Sequence, residues 1–176
     1  MTEHKISTLV SAAMLLVTGI SASRAAEAVP PALNPPGGYT VAFKAEARGV
    51  QIYTSKAAAG ASPQWTLEAP LAELKGAGHV IHHYAGPSWE AVDGSKISRD
   101  TSTQVVTVPA KQASNDIPWL LVKVVADPAP GVLGKVEYVQ RISTHGGAAP
   151  AKPPVRAGTK VGVPYTATYV FYAKPG

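Results

Sequence analysis

From Tyr39 onward, apolar and polar residues alternate in short runs rich in Val, Ile, Thr and Tyr, and turn-forming residues interrupt them about every 8 to 12 positions. A period of two is the signature of a strand with one buried face. The pattern predicts strands over Thr40–Ala45, Gly49–Thr54, Gln64–Glu68, His79–Tyr84, Trp89–Val92, Lys96–Arg99, Thr103–Val108, Trp119–Ala126, Val136–Ser143 and Thr159–Tyr172. The best helical candidate is Pro70–Lys75, one or two turns opened by a proline, and it competes with a short strand. The expected fold is all-β, a single-domain antiparallel sandwich or partly closed barrel of about eight to ten strands with little helix.

Local chemistry refines several of these elements. Asp93-Gly94 between Trp89–Val92 and Lys96–Arg99 predicts a hairpin with a two-residue type I′ turn, whose twist matches the flanking strands. Pro118 marks the start of the run from Trp119, because a missing N–H costs least at a first strand position. That run is nearly all apolar and is expected to be central and covered on both faces. In the last strand Tyr165, Ala167, Tyr169 and Phe171 share one face, which reads as core. Most runs fall short of the about 10 residues that a membrane-spanning strand requires.

Before Tyr39 the chain changes character. Val29–Gly38 holds four prolines and two glycines and is expected to be an extended lead-in, since proline can serve neither helix interior nor ladder. Leu9–Ile20 is an uncharged apolar run, shorter than the about 20 residues of a membrane-spanning helix. Small residues follow, with cleavage-type sites at Ser23-Arg24-Ala25 and Ala26-Glu27-Ala28. Residues 1–25 therefore read as a secretory signal peptide cleaved near 25 or 28, residues 26–38 as the lead-in, and 39–176 as one β-rich domain exported to the periplasm or the medium.

Composition narrows the chemistry. The 176 residues contain no cysteine, which excludes zinc-finger, iron–sulfur, thiol-nucleophile, lipoprotein and disulfide-framework readings. Formal net charge is +5, but the basic residues are scattered, without the clustered Lys/Arg and interleaved aromatics of a nucleic-acid surface. No nucleic-acid partner is expected, nor a membrane span after leader cleavage. An envelope polymer or a small ligand is compatible with the charge.

Candidate chemistry concentrates between Gly78 and Ser95, which holds His79, His82, His83, Glu90 and Asp93. Imidazole and carboxylate groups are common metal ligands and common general acids and bases. On a strand, His79 and His83 would stand about 13 Å apart, too far for both to reach one ion at about 2.0–2.1 Å. A metal site would need one of His79 and His83 together with residues from other elements, among them Glu90, Asp93, Asp100 and His145. A second reading is proton transfer or ligand binding by His83 with Glu90 and Asp93, in a pocket walled by Tyr84 and Trp89. A third is structural: His83 closes the strand by bonding the Gly86-Pro87 turn while His79 and His82 lie at the surface. No nucleophile elbow, phosphate-binding glycine loop or His-Glu-x-x-His helix is present.

Gly49-Val-Gln-Ile-Tyr-Thr54, Trp65-x-Leu, His83-Tyr-Ala-Gly-Pro-Ser-Trp-Glu90 with Asp93-Gly-Ser95, Ile117-Pro-Trp-Leu-Leu121, Tyr138-Val-Gln-Arg141 with Gly146-Gly147, and Val163-Pro-Tyr-x-Ala-x-Tyr-x-Phe-Tyr172 occur in this order. Together, over about residues 39–172, they resemble a family of exported bacterial and fungal proteins named domain of unknown function 3455. The resemblance implies an exported β-rich domain without an established activity, so it assigns no catalytic role. His83, Gly86, Pro87, Trp89, Glu90, Asp93 and Gly94 fall in its most recognisable stretch, whereas His79, His82 and His145 do not. Relatives often carry a cysteine where this chain has Ser55 and another near Val155. Their absence implies that the Gly146–Gly158 loop is held by packing alone and is less tethered. The expected function is a non-catalytic binding or envelope-associated β-domain with no cofactor, and the alternative is an enzyme using His83 and Glu90 as an acid–base pair.

Overall fold

The computed structural model describes residues 27–176, so the leader expected over 1–25 lies outside the described residues. Nine strands form one antiparallel sheet: β1 Thr40–Lys56, β2 Gln64–Gly76, β3 His79–Tyr84, β4 Ser88–Ala91, β5 Lys96–Arg99, β6 Val106–Val108, β7 Trp119–Ala126, β8 Val136–Gly146 and β9 Lys160–Ala173. Their order is β5-β4-β3-β2-β1-β9-β8-β7-β6, and β5 also pairs with β7. That pairing closes eight strands into a barrel. β6 is the extra strand and occupies the edge of β7 beyond β5, pairing Leu121 to Trp119 while β5 pairs Ala126 to Val124.

Two sequence expectations are corrected here. Thr40–Ala45 and Gly49–Thr54 belong to one uninterrupted strand, because Gly49 provides close approach rather than a break. A Cβ at Gly49 would collide with the Leu71 carbonyl and the Ala72 side chain of β2. Pro70–Lys75 is strand, with Ala72 and Leu74 turned into the barrel and Leu71, Glu73 and Lys75 outward. Pro70 is tolerated because β3 pairs β2 only from Ala72 to Gly76, leaving no ladder donor required at Pro70 on that edge.

β1 and β2 also exceed the lengths expected from sequence, with 17 residues in β1 and 13 in β2, whereas β9 has the 14 expected, shifted by one residue. The outward positions Lys44, Glu46 and Arg48 of β1 are exposed and charged, unlike the apolar band of a lipid-facing wall. Among the described residues no helix is long and apolar enough to cross a membrane. The only helical feature among them is a 3-10 turn at Pro31–Leu33.

One end of the barrel is filled and plugged. Phe43 stacks on Phe171 with ring centroids 4.4 Å apart, above buried Ile81, Leu74 and Ile97. The β7–β8 connection inserts Leu133, which is fully buried. Asp93 and Ser95 hold that connection in place: Val132 N donates to Asp93 Oδ2 at 2.8 Å and Leu133 N to Ser95 Oγ at 3.1 Å. The hairpin at Asp93-Gly94 forms, but its loop is longer than the two residues expected. Gly94 N bonds the Ala91 carbonyl at 3.0 Å, and Gly94 has positive φ while Asp93 does not. The result is a type I turn with a glycine bulge, a geometry that frees the Asp93 carboxylate to accept from Ser95.

The lead-in packs against the outer face of the barrel. Leu33 is completely buried among Trp119, Leu121 and Ala110, and Gln140 Nε2 donates to its carbonyl at 2.7 Å. The β7 run is therefore covered on both faces at its start, while Val125, past the reach of the lead-in, is exposed.

Candidate functional site

The opposite end carries the β1–β2, β3–β4 and β8–β9 connections and is built differently. β3, β4 and β5 are short, whereas β1, β2, β8 and β9 run on past them. The barrel wall therefore has a notch, bordered by Leu67 and Pro70 of the half of β2 that β3 leaves unpaired, Pro87 of the β3–β4 turn, and Leu120 of β7. Behind it is a cavity of about 130 Å³ whose inner wall includes Gln51, His83, Trp89, Arg141 and Tyr169.

Strand phase explains how these side chains arrive there. On β3, Ile81 and His83 are buried while His82 is exposed; on β4, Trp89 and Ala91 are buried. His83 and Trp89 face one another in the β3–β4 register, and their rings stack at 4.5 Å with only 8° between planes. Tyr169 meets His83 edge-on at 5.4 Å. His83 Nδ1 lies 2.9 Å from the Ser88 carbonyl. A carbonyl only accepts, so Nδ1 carries the proton and Nε2 is left as an acceptor. Burial holds the imidazole pKa far down, at about 3; the bond to Ser88 opposes this and the charge of Arg141 adds to it.

Arg141 is buried, and its Nε and Nη2 both donate to the Pro118 carbonyl at 3.2 and 2.9 Å. Among the described residues no carboxylate lies within ion-pair distance of it, and Nη1 has no partner. Its charge is felt by His83, Tyr53 and Tyr165, none of which is an anion. Burial raises the pKa of both tyrosines, so they remain neutral. The guanidinium is thus a largely buried cation without a counter-charge among the described residues. Gln51 Nε2 and Trp89 Nε1 are also buried without a hydrogen-bond partner among the described residues. The Gln51 amide lies near the Tyr165 hydroxyl, which it would favour in ionised form, but it does not reach hydrogen-bond geometry.

The residues singled out from sequence divide between the two faces. His83 and Trp89 line the cavity. Glu90 and Tyr84 lie on the outer face, where the Tyr84 hydroxyl donates to Glu90 at 2.5 Å and the Lys96 ammonium sits over the Tyr84 ring. His83 and Glu90 therefore do not form an acid–base pair: successive residues of a strand point to opposite faces, and Glu90 is in register with His82. Asp93 stands in the hairpin turn at the plugged end. Its carboxyl pKa is held down at about 2, chiefly by the Ser95 hydroxyl and then by the Val132 and Ser95 amides. His79 lies beside Phe43 near that end, and His145 is exposed on β8. Asp100 accepts from Ser102 and pairs with Lys123. These metal candidates are dispersed, and among the described residues no three His, Asp or Glu side chains gather to hold an ion.

Gln51, Arg141 and Tyr169 were not singled out from sequence as site residues. Gln51 had a readable signal: it is a polar residue in phase with buried Ala47 and Tyr53. Arg141 had none, because Val139, Gln140 and Arg141 are all buried, Gln140 against the lead-in and Arg141 inside the barrel.

Comparison with known proteins adds one assignment. Neither the curated proteins nor the solved structures yield a significant match. A family model described as protein of unknown function (DUF3455) matches residues 75–173, a range that takes in the cavity residues His83, Trp89, Arg141 and Tyr169. The match spans more than half of the chain, and the protein belongs to that family, DUF3455.

Proposed function

We propose that this protein is an exported, non-catalytic binding barrel that takes a small ligand through the notch into the cavity beside Arg141. The observation that carries the reading is the largely buried guanidinium with no counter-charge among the described residues. Burying an ionised group costs several kcal/mol unless a partner is supplied. A site that holds a cation ready, next to apolar Leu67, Pro70, Leu120 and Val122, has the composition of a ligand pocket: mostly apolar walls with few polar groups. The separation of His83 from Glu90 removes the pair on which the enzymatic alternative rested. Export rests on the leader pattern of residues 1–28.

A small ligand is favoured over an envelope polymer. Polymer-binding surfaces present exposed aromatic platforms, whereas Trp89 and Trp119 are buried and the Trp65 N–H is engaged by the Lys152 carbonyl at 3.0 Å. The test is a fragment screen by NMR on the folded protein, following the Trp89 indole and Arg141 side-chain signals. Saturable shifts centred on these two, unaltered by Glu90→Gln on the outer face, are the expected result. Shifts scattered over the exterior, with none at Trp89 or Arg141, would rule out the cavity as a binding site.

A further inference from the structure

The chemistry of the cavity goes further than the presence of a ligand, and the step that follows rests on the binding reading above. Its one charged group is a cation, and the lining includes no acidic residue. Arg141 is fixed on one edge by two bonds to Pro118, so the nitrogen left over is Nη1. The nearby Gln51 and Trp89 N–H groups are further donors without partners among the described residues. His83 Nε2 is the acceptor that the Nδ1–Ser88 bond leaves behind. The rest of the surface is apolar. A cavity of comparable size, about 150 Å³, accommodates a benzene ring.

We infer that the ligand is a small organic monocarboxylate with a compact apolar body about the size of benzoate, its carboxylate on Arg141 and its body against Leu120, Val122 and the Trp89 ring. One cation without a counter-charge calls for one negative charge, which disfavours dicarboxylates. The apolar mouth disfavours inorganic phosphate or sulfate, whose desolvation nothing at Leu67, Pro70 and Pro87 would offset. Arginine, with its planar array of donors, suits a carboxylate better than a lysine would.

The experiment measures binding of benzoate, benzyl alcohol and inorganic phosphate to the folded chain at neutral pH, by calorimetry and by the Arg141 Nε–H NMR signal. Benzoate is expected to bind at one site, at least about tenfold more tightly than benzyl alcohol, the margin of a charge-assisted hydrogen bond. Arg141→Gln is expected to remove that margin, lowering benzoate affinity by at least about tenfold more than benzyl alcohol affinity. Arg141→Lys, which keeps the charge, should retain part of it. Should Arg141→Gln not fold, the wild-type Arg141 Nε–H shift on benzoate addition still reports the contact. Equal affinity for benzoate and benzyl alcohol would overturn the carboxylate assignment and leave the binding cavity standing. Displacement of benzoate by millimolar phosphate would overturn the organic-body assignment. Absence of any response at Trp89 and Arg141 to all three compounds would overturn the carboxylate assignment and the binding reading together.

Discussion

His83 holds its single proton on Nδ1 toward Ser88 and resists a second, because burial and the Arg141 charge both disfavour the imidazolium. Its folded pKa is about 3 against an ordinary 6.5, so between those values the unfolded chain takes up a proton that the folded chain does not. The resulting stability is complete above about pH 6.5 and is lost as pH falls toward 3, at no more than about 1.4 kcal/mol per pH unit. Urea unfolding between about pH 5 and 7 is expected to show this slope, and His83→Phe to flatten it, with Trp89 stacking retained. A wild-type slope unchanged in the variant would refute the assignment. Asp93 leaves this window clear: its pKa is depressed from 3.8 to about 2, so its contribution is constant above about pH 4 and disappears only on further acidification. His83 was legible as the centre of a distinctive motif, but its face was not. Glu90 looked like its partner because the two are close in sequence, and strand alternation separates them.

Among the elements, the loop from Gly146 to Gly158 departs most from expectation. It is tethered, and by the residue that stands where relatives often carry cysteine. Ser55 Oγ donates to the Arg156 carbonyl at 2.6 Å and accepts from Thr159 N at 2.9 Å, while the Ser55 backbone bonds Gly158 and Thr159. A hydroxyl with both roles filled ties the loop down by hydrogen bonds. Ser55→Ala is expected to cost about 1–3 kcal/mol, since the Thr159 amide loses its acceptor, and to speed hydrogen exchange at that amide more than at Gly158, which keeps the Ser55 carbonyl. Equal acceleration at both positions would instead indicate general loosening. The lead-in shows how an element without periodicity escapes a pattern-based reading. Its prolines keep it out of the ladder, but Pro31–Leu33 makes a 3-10 turn where extended chain is expected, and docking of Leu33 depends on Trp119 and Leu121, about 90 residues away, whose outer face it covers together with Ala110.

For the whole molecule, the decisive feature is the contrast between a plugged end and a notched one. Phe43, Phe171 and Leu133 fill the first, while the short β3, β4 and β5 leave the second open beside β2. Local opening should begin at the notch, where β2 is paired on its β1 side alone and Leu67 and Leu71 are exposed. Hydrogen exchange is expected to be fastest across Leu67–Leu71 and Ala85–Pro87 and slowest at Val122, Val139 and Phe171. Protection of the two ends to the same degree would contradict that gradient. Strand content, the Asp93-Gly94 hairpin and the inward aromatic face of the last strand were determined by the sequence alone, because alternation and turn chemistry act over a few neighbouring residues. Closure into a barrel, the continuity of β1 through Gly49 and the meeting of Gln51, His83, Trp89 and Arg141 were decided only by tertiary structure. These depend on strand order, register and relative strand length, which bring together side chains that nothing local relates. The charge of Arg141 belongs to the same class, since whether it meets a carboxylate among the described residues depends on what surrounds it in space.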